Sequence, residues 1–131
     1  MRKEHAEHNE ELCNDLMATG KYPDWVVTAA FYSAMHYSQH QIFPLKRSQA
    51  TFRDINEFQA YFKRAFLIDK SKHQLMIDLV HDEVPGAGAS YQWLFDKCMT
   101  ARYKNYKIDE KYAVEAKNKL ETLKACCEKL R

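Results

Sequence analysis

The chain is predicted to fold as an all-α bundle of five or six helices. Three observations carry that prediction. Apolar residues recur at helical spacing along most of the chain, and no segment alternates with period two over a strand length. The 3 Gly and 3 Pro are far too few for the tight turns of an all-β fold. They are also gathered into three breaks: Gly20 with Pro23, Pro44 alone, and Pro85 with Gly86 and Gly88. With 131 residues the chain is read as one domain, 1–131. A domain of that size buries roughly two-thirds of its unfolded surface and can hold its own core.

Each element has its own signal. Leu12, Cys13, Leu16 and Met17 form the stripe of a first helix that stops at Gly20. Asp24 is expected to cap a second helix. Val27, Ala30, Phe31, Ala34, Met35 and Ile42 line one of its faces, and Pro44 closes it. Between 45 and 84 there is no Gly or Pro, yet Ser71 and Gln74 form a capping box in mid-run. That start signal divides the stretch. Phe52, Ile55, Phe58, Phe62 and Phe66 predict a short helix before it. Leu75, Met76, Leu79 and Val80 predict an amphipathic helix after it, to about Glu83. Ser90 is expected to cap a helix with Tyr91, Leu94, Phe95, Cys98 and Met99 on its buried side. Asp109 is expected to cap the last, striped by Tyr112, Ala113, Ala116, Leu120, Leu123 and Leu130.

Composition excludes several classes of protein. Apolar residues at 46% and charged residues at 29% are the balance of a globular domain, not of a disordered chain. A net charge of +2 is too small for nucleic acid to be held everywhere by charge, so any such function must sit on a local patch. No apolar run reaches the ~18 residues of a membrane span. The charged start, Arg2 to His5, leads into no apolar core of a secretory signal. The four cysteines, at 13, 98, 126 and 127, form no C-x-x-C pair and read as reduced core-filling thiols of a cytoplasmic protein. No cofactor and no metal site is expected. His36 and His40 are spaced i, i+4 and Asp78 and His81 i, i+3, but two ligands do not make a site. The run P-G-A-G-A-S has no strand before it and no Lys after it, which makes it a connector rather than a phosphate loop.

The residue that breaks the pattern is Arg102. The stripe 91, 94, 95, 98, 99 continues to 102 and 106, so a guanidinium stands where the core pattern calls for Leu. A charge there must reach a partner, a cleft or an interface. From 96 to 107, Asp96 is set against Lys97, Arg102, Lys104 and Lys107, a local +3. Tyr103 and Tyr106 interleave with Lys104 and Lys107, a mixture suited to stacking on unpaired bases or to a protein interface.

Three segments together resemble a HEPN domain, a small α-helical domain common in prokaryotic toxin–antitoxin and defence systems. The run W-V-V-T-A-A-F-Y-S-A-M-H-Y, 25 to 37, is similar to the family's small–aromatic helix. S-K-H-Q-L-M, 71 to 76, resembles the Ser-x-His opening of its third helix. T-A-R-Y-K-N-Y, 100 to 106, resembles the Arg–aromatic end of its fourth. The resemblance spans nearly the whole chain, with 45–68 as an insertion carrying an extra short helix. It implies an up-and-down bundle that dimerises through the helices flanking a cleft. In ribonuclease members an Arg and a His separated by four to six intervening residues cut RNA there. The Arg corresponds to Arg102, whereas Lys107, Ile108 and Asp109 stand where the His belongs, and no histidine follows His81. An ordinary Lys, with a pKa of about 10.4, cannot take the acid–base role of a His near neutral pH.

The expected function is therefore binding of RNA, a nucleotide or a partner protein through a groove of Arg102, Tyr103, Lys104, Tyr106 and Lys107, without ribonuclease activity. Arg102 would grip phosphate, the lysines add charge, and the tyrosines stack. One alternative is an active metal-independent ribonuclease toxin that recruits His36 to Arg102. Another is a structural partner subunit. Expected partners are a second copy of the chain and, in a two-component system, a nucleotidyltransferase-like protein, with no membrane.

Overall fold

The computed structural model describes residues 2–130. Their element order is α1 (Arg2–Thr19), α2 (Pro23–Ile42), β1 (Leu45–Arg47), β2 (Ala50–Phe52), α3 (Ile55–Phe66), α4 (Lys72–Glu83), α5 (Gly88–Tyr103) and α6 (Glu110–Glu128). The six helices are the expected bundle. The two short strands were not expected.

At the centre is α2, which packs against α1, α4, α5 and α6. It is buried over most of its circumference rather than on one face: Val26, Thr28, Ala29, Ser33 and Ser38 are buried along with the predicted Val27, Ala30, Phe31, Ala34 and Ile42. Enclosed on most sides, it keeps only a narrow accessible ridge near Trp25, Tyr32 and His36. Its small residues also let those neighbours approach closely. Phe31 is the hub, with ring contacts to Tyr91 at 5.6 Å and Phe95 at 5.7 Å across to α5.

A polar clamp joins three helices on the other side. The Tyr37 hydroxyl of α2 donates to Glu10 Oε1 of α1 at 2.7 Å, and Lys124 Nζ of α6 donates to the same oxygen at 3.1 Å. Lys117 Nζ lies 3.5 Å from Glu10 Oε2. Burial alone would raise the Glu10 pKa. The hydrogen bonds from Tyr37 and Lys124 outweigh it and hold the carboxyl below the ordinary range.

The 45–68 stretch holds the departures from the sequence reading. Antiparallel β1 and β2 pair Leu45 with Phe52 and Arg47 with Ala50 around a turn at Ser48 and Gln49, both with positive φ. Phe52 therefore belongs to a strand, and α3 starts later, capped by the Asp54 side chain accepting from the Glu57 N–H. Phe52 packs edge-on to Phe58 at 5.3 Å, which seats the hairpin on α3. Arg47 ties it to α4 through Glu83 at 2.8 Å.

Helix starts also differ in detail. Ser71 and Asp109 cap α4 and α6 as expected, by accepting from the N–H groups of Gln74 and Lys111. Asp24 is not a cap: α2 begins at Pro23, the residue whose missing N–H suits a first turn. Ser90 is not one either. It is buried inside α5, which begins at Gly88 with Ala87 at the cap position. Gly88 lies so close to the His81 ring that an added Cβ would stand 2.0 Å from its Nδ1. Cys13, Cys98 and Cys127 are buried and Cys126 is half-buried. No helix among the described residues is long and apolar enough to cross a membrane.

Candidate nucleic-acid interface

The core face of α5 does not pass through Arg102. Its fully buried line is Tyr91, Leu94, Cys98 and Ala101, and Phe95 and Met99 are only partly buried. Ala101 takes the core position predicted for residue 102, so Arg102 emerges at the edge of the packed surface and is exposed. The sequence reading placed it one ridge too far inward, because Phe95 and Met99 look as apolar as true core residues.

Arg102 meets no carboxylate among the described residues. Its Nη1 donates to the Tyr32 hydroxyl of α2. Its Cζ lies 5.7 Å from the Tyr32 ring centroid and 5.1 Å from that of Tyr103. The guanidinium thus meets the hydroxyl end of Tyr32 and the ring of Tyr103, an arrangement that favours a cation and leaves further N–H donors open. Tyr32 is pushed above its ordinary pKa by burial, against the opposing pull of Arg102, so it keeps its proton at neutral pH. Because its oxygen already accepts from Arg102, that proton remains available to a second acceptor.

Next to the pair is a cleft of about 270 Å³. Thr28 and Ala29 of α2 form its floor, with Trp25 and Tyr32 at either end. Asn9 and Leu12 of α1 and Arg102 of α5 complete its lining. Trp25 is 55% exposed and Leu12 45%, so large apolar groups face solvent beside a cation.

The remaining predicted residues divide. Tyr103 ends α5 beside Arg102. The helix stops there, with the N–H groups of Lys104 and Asn105 both turned onto the Thr100 carbonyl. Lys104, Tyr106 and Lys107 therefore lie in the exposed connection to α6 rather than on one helical ridge. The Asn105 side chain accepts from the Lys107 N–H and shapes that connection. Lys104 and Lys107 make no ion pair among the described residues. Lys97 does not join them: its Nζ sits 4.5 Å from the Tyr112 ring centroid, turned toward α6.

The structure places His36 elsewhere. Its ring lies 4.8 Å from that of His5, its Nδ1 is buried without a hydrogen-bond partner, and burial, then His5, lowers its pKa. The histidine that feels Arg102 is His73, near the start of α4. It is half-buried against Phe95 at 5.3 Å and Phe31 at 6.0 Å. Burial lowers its pKa first and the Arg102 charge second, which keeps it neutral near pH 7. Tyr32, Trp25 and His73 were not among the predicted site residues. The signal for the first two was present: 25, 29, 32 and 36 form a ridge of α2 beside its core stripe, carrying Trp, Tyr and His where a surface ridge usually carries charge. Among the described residues no group of three His, Cys, Asp or Glu side chains is arranged to hold a metal ion.

No protein-family profile, curated protein or solved structure significantly matches this chain.

Proposed function

We propose that this HEPN-like helical bundle binds single-stranded RNA through the surface around Arg102 and does not cut it. The observation that carries the reading is the state of Arg102: exposed, without a carboxylate partner among the described residues, and in contact with Tyr32 and Tyr103. A structural arginine is normally neutralised by a nearby acid. This one keeps donors open toward solvent, in a geometry suited to the two oxygens of a phosphate. Lys104 and Lys107 supply further positive charge along the adjoining connection. Tyr103 and Tyr106, 69% and 68% exposed, offer faces on which bases stack. The reading that cleavage is absent rests on chemistry. The position for the usual histidine after Arg102 is filled by other residues, and the interactions of His36 are with His5.

The competing reading, metal-independent RNA cleavage, has one observation in its favour: neutral His73 lies within electrostatic reach of Arg102. One experiment separates the two. Labelled single-stranded RNA and its duplex are titrated with protein at several salt concentrations in EDTA, and the RNA is then run on a denaturing gel. The proposal expects the single strand to bind better than the duplex, binding to weaken with salt, and the RNA to stay intact. Failure to bind at low salt overturns it. So does cutting that disappears in both Arg102→Ala and His73→Ala, which would establish the ribonuclease instead.

A further inference from the structure

The cleft beside Arg102 is more specific than a charged surface. We propose that it is a subsite for one unpaired nucleotide, whose base inserts against Trp25 over the Thr28–Ala29 floor and whose phosphate is held by Arg102 and the Tyr32 hydroxyl. The inference rests on the nucleic-acid reading above and names the unit that is recognised.

Shape is the first argument. Trp25 and Tyr32 are seven residues apart on α2, two helical turns and about 10.5 Å along its axis. The positions between them on that face are Thr28 and Ala29, the second with no side chain beyond Cβ. Two aromatic ends over a low floor make a slot for a flat ring. At about 270 Å³ the slot is smaller than the ~300–1,000 Å³ of pockets for drug-sized ligands, so it admits one ring system rather than a length of strand.

Polarity is the second. The anion-binding donors sit at one end only, where Arg102 Nη1 uses a single N–H on Tyr32 and leaves the others open. Two turns away along α2 stands apolar, exposed Trp25, and the α1 lining includes exposed Leu12. A ligand with a flat apolar face at one end and a negative charge at the other matches that gradient. Within the cleft the Asn9 side chain donates its NH₂ to the His5 carbonyl at 3.0 Å, which fixes the amide and leaves its Oδ1 able to accept from the edge of a base. The slot thus has a stacking face, an edge acceptor and a phosphate clamp.

The same chemistry could come from a free nucleoside monophosphate or from one residue of a strand. Two measurements distinguish these. In Trp93→Phe protein Trp25 is the sole tryptophan, since the chain has 2. Its fluorescence is followed during titration with AMP, UMP, adenosine or inorganic phosphate. In parallel, anisotropy of a labelled single-stranded RNA is measured for the wild type, Trp25→Ala, Ala29→Leu and Arg102→Ala. Circular dichroism verifies that each variant is folded. The proposal expects saturable quenching by a nucleoside monophosphate at lower concentration than by adenosine or phosphate. It also expects Trp25→Ala and Ala29→Leu to weaken RNA binding about 10-fold or more.

If RNA binds and only Arg102→Ala weakens it, the slot is overturned while the RNA reading stands. If RNA does not bind but a monophosphate quenches Trp25, and Arg102→Ala abolishes the quenching, the slot stands with free nucleotide as its ligand and the RNA reading falls. If neither binds, both fall.

Discussion

Replacing Arg102 with Leu separates function from stability. Within the described chain the guanidinium makes one hydrogen bond, to the accessible Tyr32 hydroxyl, and lies beside the Tyr103 ring. Such an exposed bond is worth about 1 kcal/mol at most, and an exposed cation–π contact about 0.5–1 kcal/mol. Leucine on the same ridge as partly buried Phe95 and Met99 recovers part of that by covering apolar surface, roughly 1 kcal/mol. Stability should therefore stay within about 1 kcal/mol of wild type, a shift in melting temperature of roughly 3–6 °C or less. RNA binding should fall by about 1.5–3 kcal/mol for the lost charged hydrogen bond to phosphate, roughly 10- to 150-fold in Kd. A thermal melt and an anisotropy titration on the same preparation read both quantities. A drop of 10 °C or more with unchanged RNA affinity would refute the reasoning, because it would make Arg102 a structural residue.

Other expectations follow from the same geometry. Lys104→Ala and Lys107→Ala should each weaken RNA binding less than Arg102→Leu and lower the salt slope by about 0.7, which titrations at several salt concentrations measure. Folding stability should decline in two stages on acidification. His36 and His73 have lowered pKa values, so both states are neutral above their ordinary 6.5; below it the unfolded chain takes up protons more readily and stability falls. Glu10, also lowered, adds stability that is present above its ordinary 4.5 and lost as pH falls through its folded value. Urea unfolding at each pH should show Glu10→Gln diminishing the second stage and sparing the first, with about 1–3 kcal/mol already lost at neutral pH. Leu67→Gly should raise stability by about 1 kcal/mol in the same assay, since Leu67 ends α3 at φ 55 and is 89% exposed. The dimerisation implied by the HEPN resemblance predicts light scattering at twice 15.5 kDa at micromolar concentration; a single 15.5 kDa species would contradict it.

What could be read from the sequence depended on whether a local rule acted alone. Gly20, Pro44, Ser71 and Asp109 mark helix ends by backbone chemistry that no neighbour overrides, and each does so in the structure. The hairpin was hidden for a physical reason. Strands of three residues are too short to show alternation, and the turn uses Ser48 and Gln49 at positive φ without the Gly or Asn that would announce it. The position of Arg102 was legible to within one residue. The step from 102 to 101 on the core line depended on how α5 rotates against α2, which no pattern within α5 specifies. Tyr32 as the partner of Arg102, 70 residues away, is a product of the fold alone. His73 stood inside a quoted motif, but its nearness to Arg102 required the packing of α4 beside α5.

Ultraviolet cross-linking reads directly whether RNA lies on the face formed by α2 and the end of α5. Wild-type protein is irradiated with single-stranded RNA, digested, and the linked peptides are mapped by mass spectrometry. Adducts are expected on Trp25, Tyr32, Tyr103 or Tyr106, reduced in Arg102→Ala. Adducts confined to α3 or to the exposed side of α6, or undiminished in Arg102→Ala, would contradict it.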